Sequence, residues 1–471
     1  MGLLKEHLVM AKRHKKKNCP HGNGNFCPVC LANKTPEPTI GKKLKFEGHD
    51  LSEDQVDAIR IILDNNNRLV FLCGIAGSGK SFVIRWLKEN VPNCVTTAMT
   101  GVAAQLIDNS TKTAHSFLGI HPEDEALRRD RAEKGEYNPY FKLTKEGINP
   151  KTGNWQPDFA SIAVCKASMI IIDEISMANS EFMSRIAERF SIAGYKPKLV
   201  IVGDPLQLPP TEGYKFFKYA HFNKFKIVKL RHQHRQTDTE DKAFLDALNE
   251  IRVGVLSEQG RKLLEDRIVE TLPIDCIHLH AKNVNVDETN RERLEALPGK
   301  EVELHWKVDS SEDDDKTEIA LRYARKDSRF VENLRLKEKA RIILLTNDKA
   351  GRWVNGSSGE IIEIGQYDIT VKLDSGLTEI VGPAEEDLYY GKNKIGTINQ
   401  FPIKLAWALT VHRSQGSTLD RVGVNLNDHF ENGMTYVALS RCRKLSGLYL
   451  CGRFSDEIKV DHEAIEFLSR I

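Results

Sequence analysis

The chain has 471 residues, 28% of them charged and 40% hydrophobic, and 68 basic against 66 acidic side chains leave a net charge of +2. That length exceeds a single compact core, and the near balance of charge excludes a global basic field, so any nucleic-acid site must be a local groove. No apolar run approaches the roughly 20 residues of a membrane span, which excludes a spanning helix.

The N-terminus has no apolar segment followed by a small-residue cleavage site, and most of the nine cysteines stand singly in apolar surroundings, so we expect reduced thiols in a cytoplasmic setting, that of a bacterial or phage-infected cell. Residues 1–17 carry Lys5, Lys12, Arg13, Lys15, Lys16 and Lys17 and read as a basic tail. Cys19-x-His21 and Cys27-x-x-Cys30 follow, four ligands close enough in sequence to hold a tetrahedral Zn²⁺. The alternative is a tail with reduced thiols. Thr35-Pro-Glu-Pro-Thr reads as a linker, and Ser52 with Gln55 forms a capping box that opens a helix over Val56–Leu63. Gln55 also has the donor and acceptor that suit an adenine edge, and one residue can serve both roles.

The chain's strongest signal is Gly74-Ile75-Ala76-Gly77-Ser78-Gly79-Lys80-Ser81, a complete G-x-x-x-x-G-K-[ST] between an apolar strand (69–73) and a helix (82–87). Glycines let the backbone wrap a polyphosphate, and the helix N-terminus adds its positive end to the same anion. Lys80 is then placed for the β- and γ-phosphates of ATP and the Ser81 hydroxyl for Mg²⁺. Strand-to-helix turns at Thr100-Gly101 and at His115-Ser116-Phe117 offer backbone N–H groups to a phosphate, or are ordinary caps. Residues 120–164 turn charged and then aromatic around Asn149-Pro-Lys-Thr-Gly153, the pattern of an exposed β-hairpin. Met169–Asp173 reads as a buried strand ending in two acids, Asp173 for Mg²⁺ and Glu174 for the attacking water. The strand Leu199–Val202 runs into Gly203-Asp204-Pro-Leu-Gln207-Leu-Pro-Pro, with Gln207 placed to sense the γ-phosphate.

Those last two segments resemble motifs II and III of superfamily 1 DNA helicases, in the RecD-like and Dda-like branch that moves 5′ to 3′. Leu230–Gln236 is similar to motif IV, Ala408–Thr418 to motif V and Tyr436–Arg443 to motif VI, in the family's order from residue 51 to 443. The resemblance implies an α/β fold of two RecA-like P-loop lobes, with parallel sheets flanked by helices, a β-hairpin inserted in lobe 1 and an SH3-like β-barrel in lobe 2. The expected division is 1–45 for the tail and zinc motif, 46–118 with 165–232 for lobe 1A, and 119–164 for the 1B hairpin or pin. Lobe 2A takes 233–298 with 398–471, and the 2B barrel 299–397. Within 2B, residues 309–316 read as an exposed acidic loop, residues 340–382 as a small antiparallel barrel, and Trp353 as barrel core or a base-stacking residue.

The resemblance further implies that Arg235 and Arg441 reach the γ-phosphate from lobe 2 as arginine fingers. Single-stranded DNA would cross Thr100, Gly101, His115 and Phe117 in lobe 1 and Thr410, His412 and Ser414 in lobe 2. The expected activity is ATP-dependent opening of tailed duplex DNA by a monomer, in replication, recombination or repair, with partners such as a single-strand-binding protein. An RNA helicase and a non-unwinding ATP-switched subunit stay open as alternatives. A water-activating Glu174 argues against the switch, which has no need of one.

Overall fold

The computed structural model describes residues 45–46, 49–107, 111–120, 163–231 and 239–471, apart from 165, 194, 312–313, 328–329, 347, 349, 354, 391–392, 428 and 456. The expected zinc ligands Cys19, His21, Cys27 and Cys30, all but the ends of the hairpin segment 119–164, and Arg235 lie outside the described residues.

The first lobe is a parallel sheet of β1 (Leu69–Gly74), β2 (Cys94–Ala98), β3 (Lys112–Thr113), β4 (Met169–Asp173), β5 (Lys198–Gly203) and β6 (Lys226–Leu230). β1, β4 and β5 are buried along almost their whole length, as strands covered on both faces must be. The strands lie side by side in the order β3-β2-β4-β5-β1-β6, every pair parallel. That order places the carboxyl ends of β4, β5 and β1 next to one another, so the loops after Asp173, Gly203 and Gly74 converge on one edge. Helices α1 (Glu53–Leu63) and α2 (Lys80–Asn90) cover one face, with Ile59, Ile62, Ile84 and Leu87 packed on Val70, Leu72, Ile171 and Val200. Short helices α3 (Gly101–Ile107) and α4 (Ala114–Leu118) follow β2 and β3, and α5 (Ser180–Ile192) covers the other face through Phe182, Met183 and Ile186.

The second lobe has α6 (Thr239–Arg252) and a parallel sheet of β7 (Ile277–His280), β8 (Ala408–Thr410), β9 (Val422–Asn425) and β10 (Leu448–Cys451), in the order β8-β7-β9-β10. The helix Glu258–Glu265, whose Leu264 is buried in the same core, and helices α7 (Asn283–Ala296), α8 (Val411–Ser414) and α9 (Met434–Ser440) also belong to it. Between β7 and β8 the chain leaves for an antiparallel region. Its main sheet has five strands, running Thr378–Val381, Ile369–Leu373, Ser358–Ile364, Arg341–Leu344 and Ile403–Leu405 across the sheet. Trp353 is buried in that region's core, beneath the guanidinium of Arg352 at 4.5 Å.

Two expectations change. Residues 309–316 are not an acidic loop: Lys307–Ser310 is a strand, and Asp314 and Asp315 open a helix that runs to Asp327. Carboxylates in a first turn are stabilised by the helix dipole, so the acidic run marks a helix start. The segment 398–471 also does not stay with the second sheet. Its last helix, α10 (His462–Arg470), is built into the first lobe: Ala464 is fully buried there and Phe467 stacks on Phe217 with centroids 4.5 Å apart. Lys229 Nζ donates to Leu468 O (3.0 Å) and Ile471 O (2.6 Å), and Lys215 pairs with Asp461 and Glu463.

Candidate active site

The glycine-rich loop 74–81 starts from the end of β1, and its shape follows from its glycines. Gly77 and Gly79 have φ of 80° and 82°, in the left-handed region, and a Cβ on Gly74 would lie 2.4 Å from Ser78 Oγ. Gly79 is the N-cap of α2, so the helix's unpaired N–H groups open onto the loop. Lys80 Nζ lies across it, donating to Gly74 O (2.8 Å) and Ile75 O (2.9 Å). A cavity of 530 Å³ opens beside the loop. Ala76, Gly77, Gly79, Lys80 and Ser81 form part of its wall, whereas Gly74 and Ser78 do not.

Four other expected residues of the first lobe reach the same cavity. Gln55 accepts the Ser52 N–H through Oε1 (3.1 Å), the cap half of its expected double role, and lines the cavity while only 3% exposed. Asp173 and Glu174 come from the end of β4 and Gln207 from the loop after β5. Burial, and then the neighbouring charge of Glu174, push the Asp173 carboxyl up to about 7, although the Glu174 N–H donates to its Oδ1 (2.8 Å). Glu174 has φ 55° and ψ 41°, a left-handed conformation that costs a non-glycine residue about 1 kcal/mol and turns the chain sharply out of the strand.

The opposite wall belongs to the second lobe. Arg441, at the end of α9 and 4% exposed, faces the cavity while Nε donates to Val437 O (2.9 Å), Nη1 to Ser417 O (3.2 Å) and Nη2 to Ser440 Oγ (2.9 Å). Burial lowers its pKa, and the charge of Glu174 across the cleft opposes that shift. Gly416, Ser417 and Thr418 line the cavity from the loop after α8. Gly416 has φ +86°, and a Cβ there would stand 2.9 Å from Ala103 Cβ of α3, so the lobes touch at this loop.

A buried hydrogen-bonded chain also crosses between the lobes. Ala76 N–H donates to Tyr436 Oη (3.1 Å), Tyr436 donates to Asp204 Oδ2 (3.1 Å), and Arg252 clasps Asp204 with contacts of 2.9 and 2.7 Å. Burial pushes the Asp204 carboxyl up, but Arg252 outweighs it and holds the group below the usual carboxylate range. Sequence reading gave no role to Tyr436, Asp204 or Arg252. The first two lie inside quoted motifs and could have been singled out there; Arg252 is a helix-end arginine with no local signal. Arg85 also lines the cavity unforeseen, yet it stands four residues after Ser81 on the same helix face.

The residues expected to touch a nucleic-acid strand sit at the carboxyl ends of β2, β3 and β8. Thr100 Oγ1 caps α3 by accepting from Ala103 N (3.2 Å), and Thr410 Oγ1 caps α8 by accepting from Arg413 N (3.3 Å). A Cβ on Gly101 would lie 2.3 Å from Asn355 O, so this turn is pressed against the inserted antiparallel region. The His115 ring packs 4.6 Å from Phe182, Phe117 is partly buried against the first core, and His412 Nε2 lies 2.7 Å from Glu431 Oε2. Ser414 is a correction. It is fully buried and its hydroxyl donates to Val411 O (2.8 Å), because α8 turns that side chain into the lobe and away from any strand.

Among the described residues no helix is long and apolar enough to cross a membrane, and no group of three or more His, Cys, Asp or Glu side chains could hold a metal ion.

A P-loop on a parallel sheet, with acids at the next strand but one and an arginine from a second lobe, defines a P-loop nucleoside triphosphatase. Residues 50–268 match the family model described as an AAA domain. The ATP-dependent DNA helicase Pif1 of Bdellovibrio bacteriovorus is 32% identical over 435 residues, covering 89% of this chain and 91% of that one. The ATP-dependent DNA helicase PIF1 of Homo sapiens is 28% identical, over 94% of this chain and 67% of its own length. The crystal structure of Bacteroides Pif1 bound to ADP-AlF3 and single-stranded DNA superposes with a TM-score of 0.71 at 25% identity, covering 89% of this chain and 96% of that one. The Pif1 helicase of Candida albicans shares the fold, with a TM-score of 0.73 at 24% identity over 89% of this chain and 98% of that one. The chain therefore belongs to the Pif1 family of DNA helicases, and it is an ATP-hydrolysing enzyme that unwinds DNA.

Proposed function

We propose that the chain moves 5′ to 3′ along single-stranded DNA by closing and opening the cleft between its lobes, and that it opens duplexes carrying a 5′ tail. The observation that carries this reading is the shared cavity, walled by Lys80, Glu174 and Gln207 from one lobe and Arg441 from the other. A nucleotide there has partners on both sides, so loss of its γ-phosphate changes how strongly the lobes hold each other. Lys80 meets the β- and γ-phosphates, Glu174 orients and deprotonates the attacking water, and Gln207 donates to the γ-phosphate. Arg441 stabilises charge on the transferring phosphoryl group, and Arg235 is assigned the same role by its place in motif IV. Gln55 reads the adenine through the amide nitrogen that its cap leaves over.

Mg²⁺ fits this donor set. Ser81 and Asp173 both line the cavity, and two protein oxygens completed by phosphate oxygens and water are what this hard cation takes. Burial and the charge of Glu174 raise the Asp173 pKa more than Lys80 lowers it, so a divalent cation at this carboxyl would offset a cost that Lys80 leaves standing. When bound, Mg²⁺ would neutralise charge on the β- and γ-phosphates.

The strand runs over Thr100, Gly101, His115, Phe117, Thr410 and His412, making contacts that are largely to phosphates and so tolerant of sequence. The 1B hairpin (119–164) splits the duplex, the 299–397 insertion is an SH3-like 2B barrel over the strand, and residues 46–118 with 165–232 and 233–298 with 398–460 form the two RecA-like lobes. Cys19, His21, Cys27 and Cys30 bind Zn²⁺ within 1–45, and the protein works as a monomer in the cytoplasm with proteins that handle single-stranded DNA.

Strand-stimulated ATP hydrolysis by Arg441→Ala tests the reading. Turnover should fall by about 10³ or more while ATP still binds. Undiminished turnover would remove the second lobe from the chemistry.

A further inference from the structure

Gln415 is fully buried at the end of α8, beyond the residues assigned a role above, and its side chain crosses the cleft into the first lobe. Its Nε2 donates to Ser176 Oγ (3.0 Å) and to Gln207 Oε1 (3.3 Å). Ser176 stands two residues after Glu174, in the short turn that Glu174 caps. One second-lobe amide therefore holds the segment after the water-activating acid and the side chain at the γ-phosphate position.

The direction of these bonds carries chemical information. An amide next to a phosphate must present N–H, because its carbonyl oxygen would face anionic oxygens. A bond to Oε1 favours that orientation of Gln207, and Gln415 Nε2 makes it. Gln415 Oε1 is buried and accepts no hydrogen bond among the described residues, so the side chain is held by its donated bonds. Next to it, Gly416 lies so close to Ala103 that a Cβ there would stand 2.9 Å from the Ala103 Cβ, so the loop that carries Gln415 sits directly against the first lobe.

We propose that Gln415 is a positioning residue for ATP hydrolysis: it sets the Gln207 amide with its N–H toward the γ-phosphate and transmits movement of the second lobe to it. The proposal rests on the reading of Gln207 as the γ-phosphate donor. The test is steady-state ATP hydrolysis by the full chain with single-stranded DNA, for Gln207→Ala, Gln415→Met, Gln415→Glu and the Gln207→Ala/Gln415→Met double variant. Thermal midpoint and ADP affinity are measured alongside.

Gln207→Ala should lose about 10²-fold in kcat, as expected for removing one preorganised donor. Gln415→Met should lose a similar factor with ADP affinity and thermal midpoint at wild-type values, and the double variant should lose no more than either. Gln415→Glu, which only accepts, should turn the Gln207 nitrogen toward itself and lower kcat further than Gln415→Met. Wild-type kcat in Gln415→Met, or a loss that multiplies with that of Gln207→Ala, would overturn the proposal. A loss accompanied by a fall in thermal midpoint and ADP affinity would overturn it too, since Gln415 would then be part of the packing only. Full turnover in Gln207→Ala alone would instead remove the reading of Gln207, and the proposal with it.

Discussion

Asp204 has no exposed surface, and two residues from the opposite lobe satisfy it: Arg252 through a bidentate clasp and Tyr436 through its hydroxyl. A buried carboxylate left without its cation is expensive, so Arg252→Ala should lower stability by about 3–5 kcal/mol, read as a drop in the denaturant midpoint. Tyr436→Phe keeps the ring and removes only the hydroxyl. It leaves Ala76 N–H and Asp204 each short of one partner, and should lower stability by about 1–3 kcal/mol in the same measurement while raising the KM for ATP, because Ala76 belongs to the loop proposed to hold the phosphates. The loop residues themselves were legible in the sequence, since wrapping a polyphosphate demands particular residue types at consecutive positions. The Ala76–Tyr436–Asp204–Arg252 chain was not. Its members are spread from residue 76 to residue 436, and no local pattern says that they meet.

Strands β1, β4 and β5 announced themselves as apolar runs bounded by turn residues, and their parallel pairing followed from burial on both faces. Helix α10 was harder to place. Its amphipathic pattern predicts a buried face but not the surface that buries it, and the helix returns to the first lobe, where Phe467 lies flat on Phe217. Phe467→Ala should therefore lower the stability of the first lobe, by about 2–4 kcal/mol, and a calorimetric scan should show its transition moving while that of the second lobe stays. Strand β7 makes a separate prediction about pH. His280 is buried on it beside His278, with Thr289 at 3.0 Å from its Nε2 and Arg293 at 3.1 Å from His278 Nε2. Burial, and then the charge of His278, push the His280 imidazole down from 6.5 to about 4. Between those values the unfolded chain binds the proton and the folded chain does not, so this group's contribution is complete above pH 6.5 and is lost as pH falls toward 4. Urea midpoints at pH 7 and pH 5 should differ more for the wild type than for His280→Gln.

Across the whole molecule, motif chemistry made the two-lobed nucleotide cleft readable, because each motif lies within one loop and both lobes had to contribute. The antiparallel region between β7 and β8 was readable as alternating strands, while its helix Asp314–Asp327 was hidden by acids that look like a solvated loop. Gly101 against Asn355 and Gly416 against Ala103 show the inserted region and the second lobe both pressing on the turn where the strand is proposed to run. Movement of the cleft therefore cannot leave that turn unaffected. The measurement that tests this account most directly is strand displacement with ATP and Mg²⁺ on DNA duplexes carrying a 5′ tail, a 3′ tail or no tail, with an RNA-tailed duplex beside them. Opening of the 5′-tailed DNA alone is expected. Opening from the 3′ tail, or no opening of any duplex despite strand-stimulated hydrolysis, would contradict it.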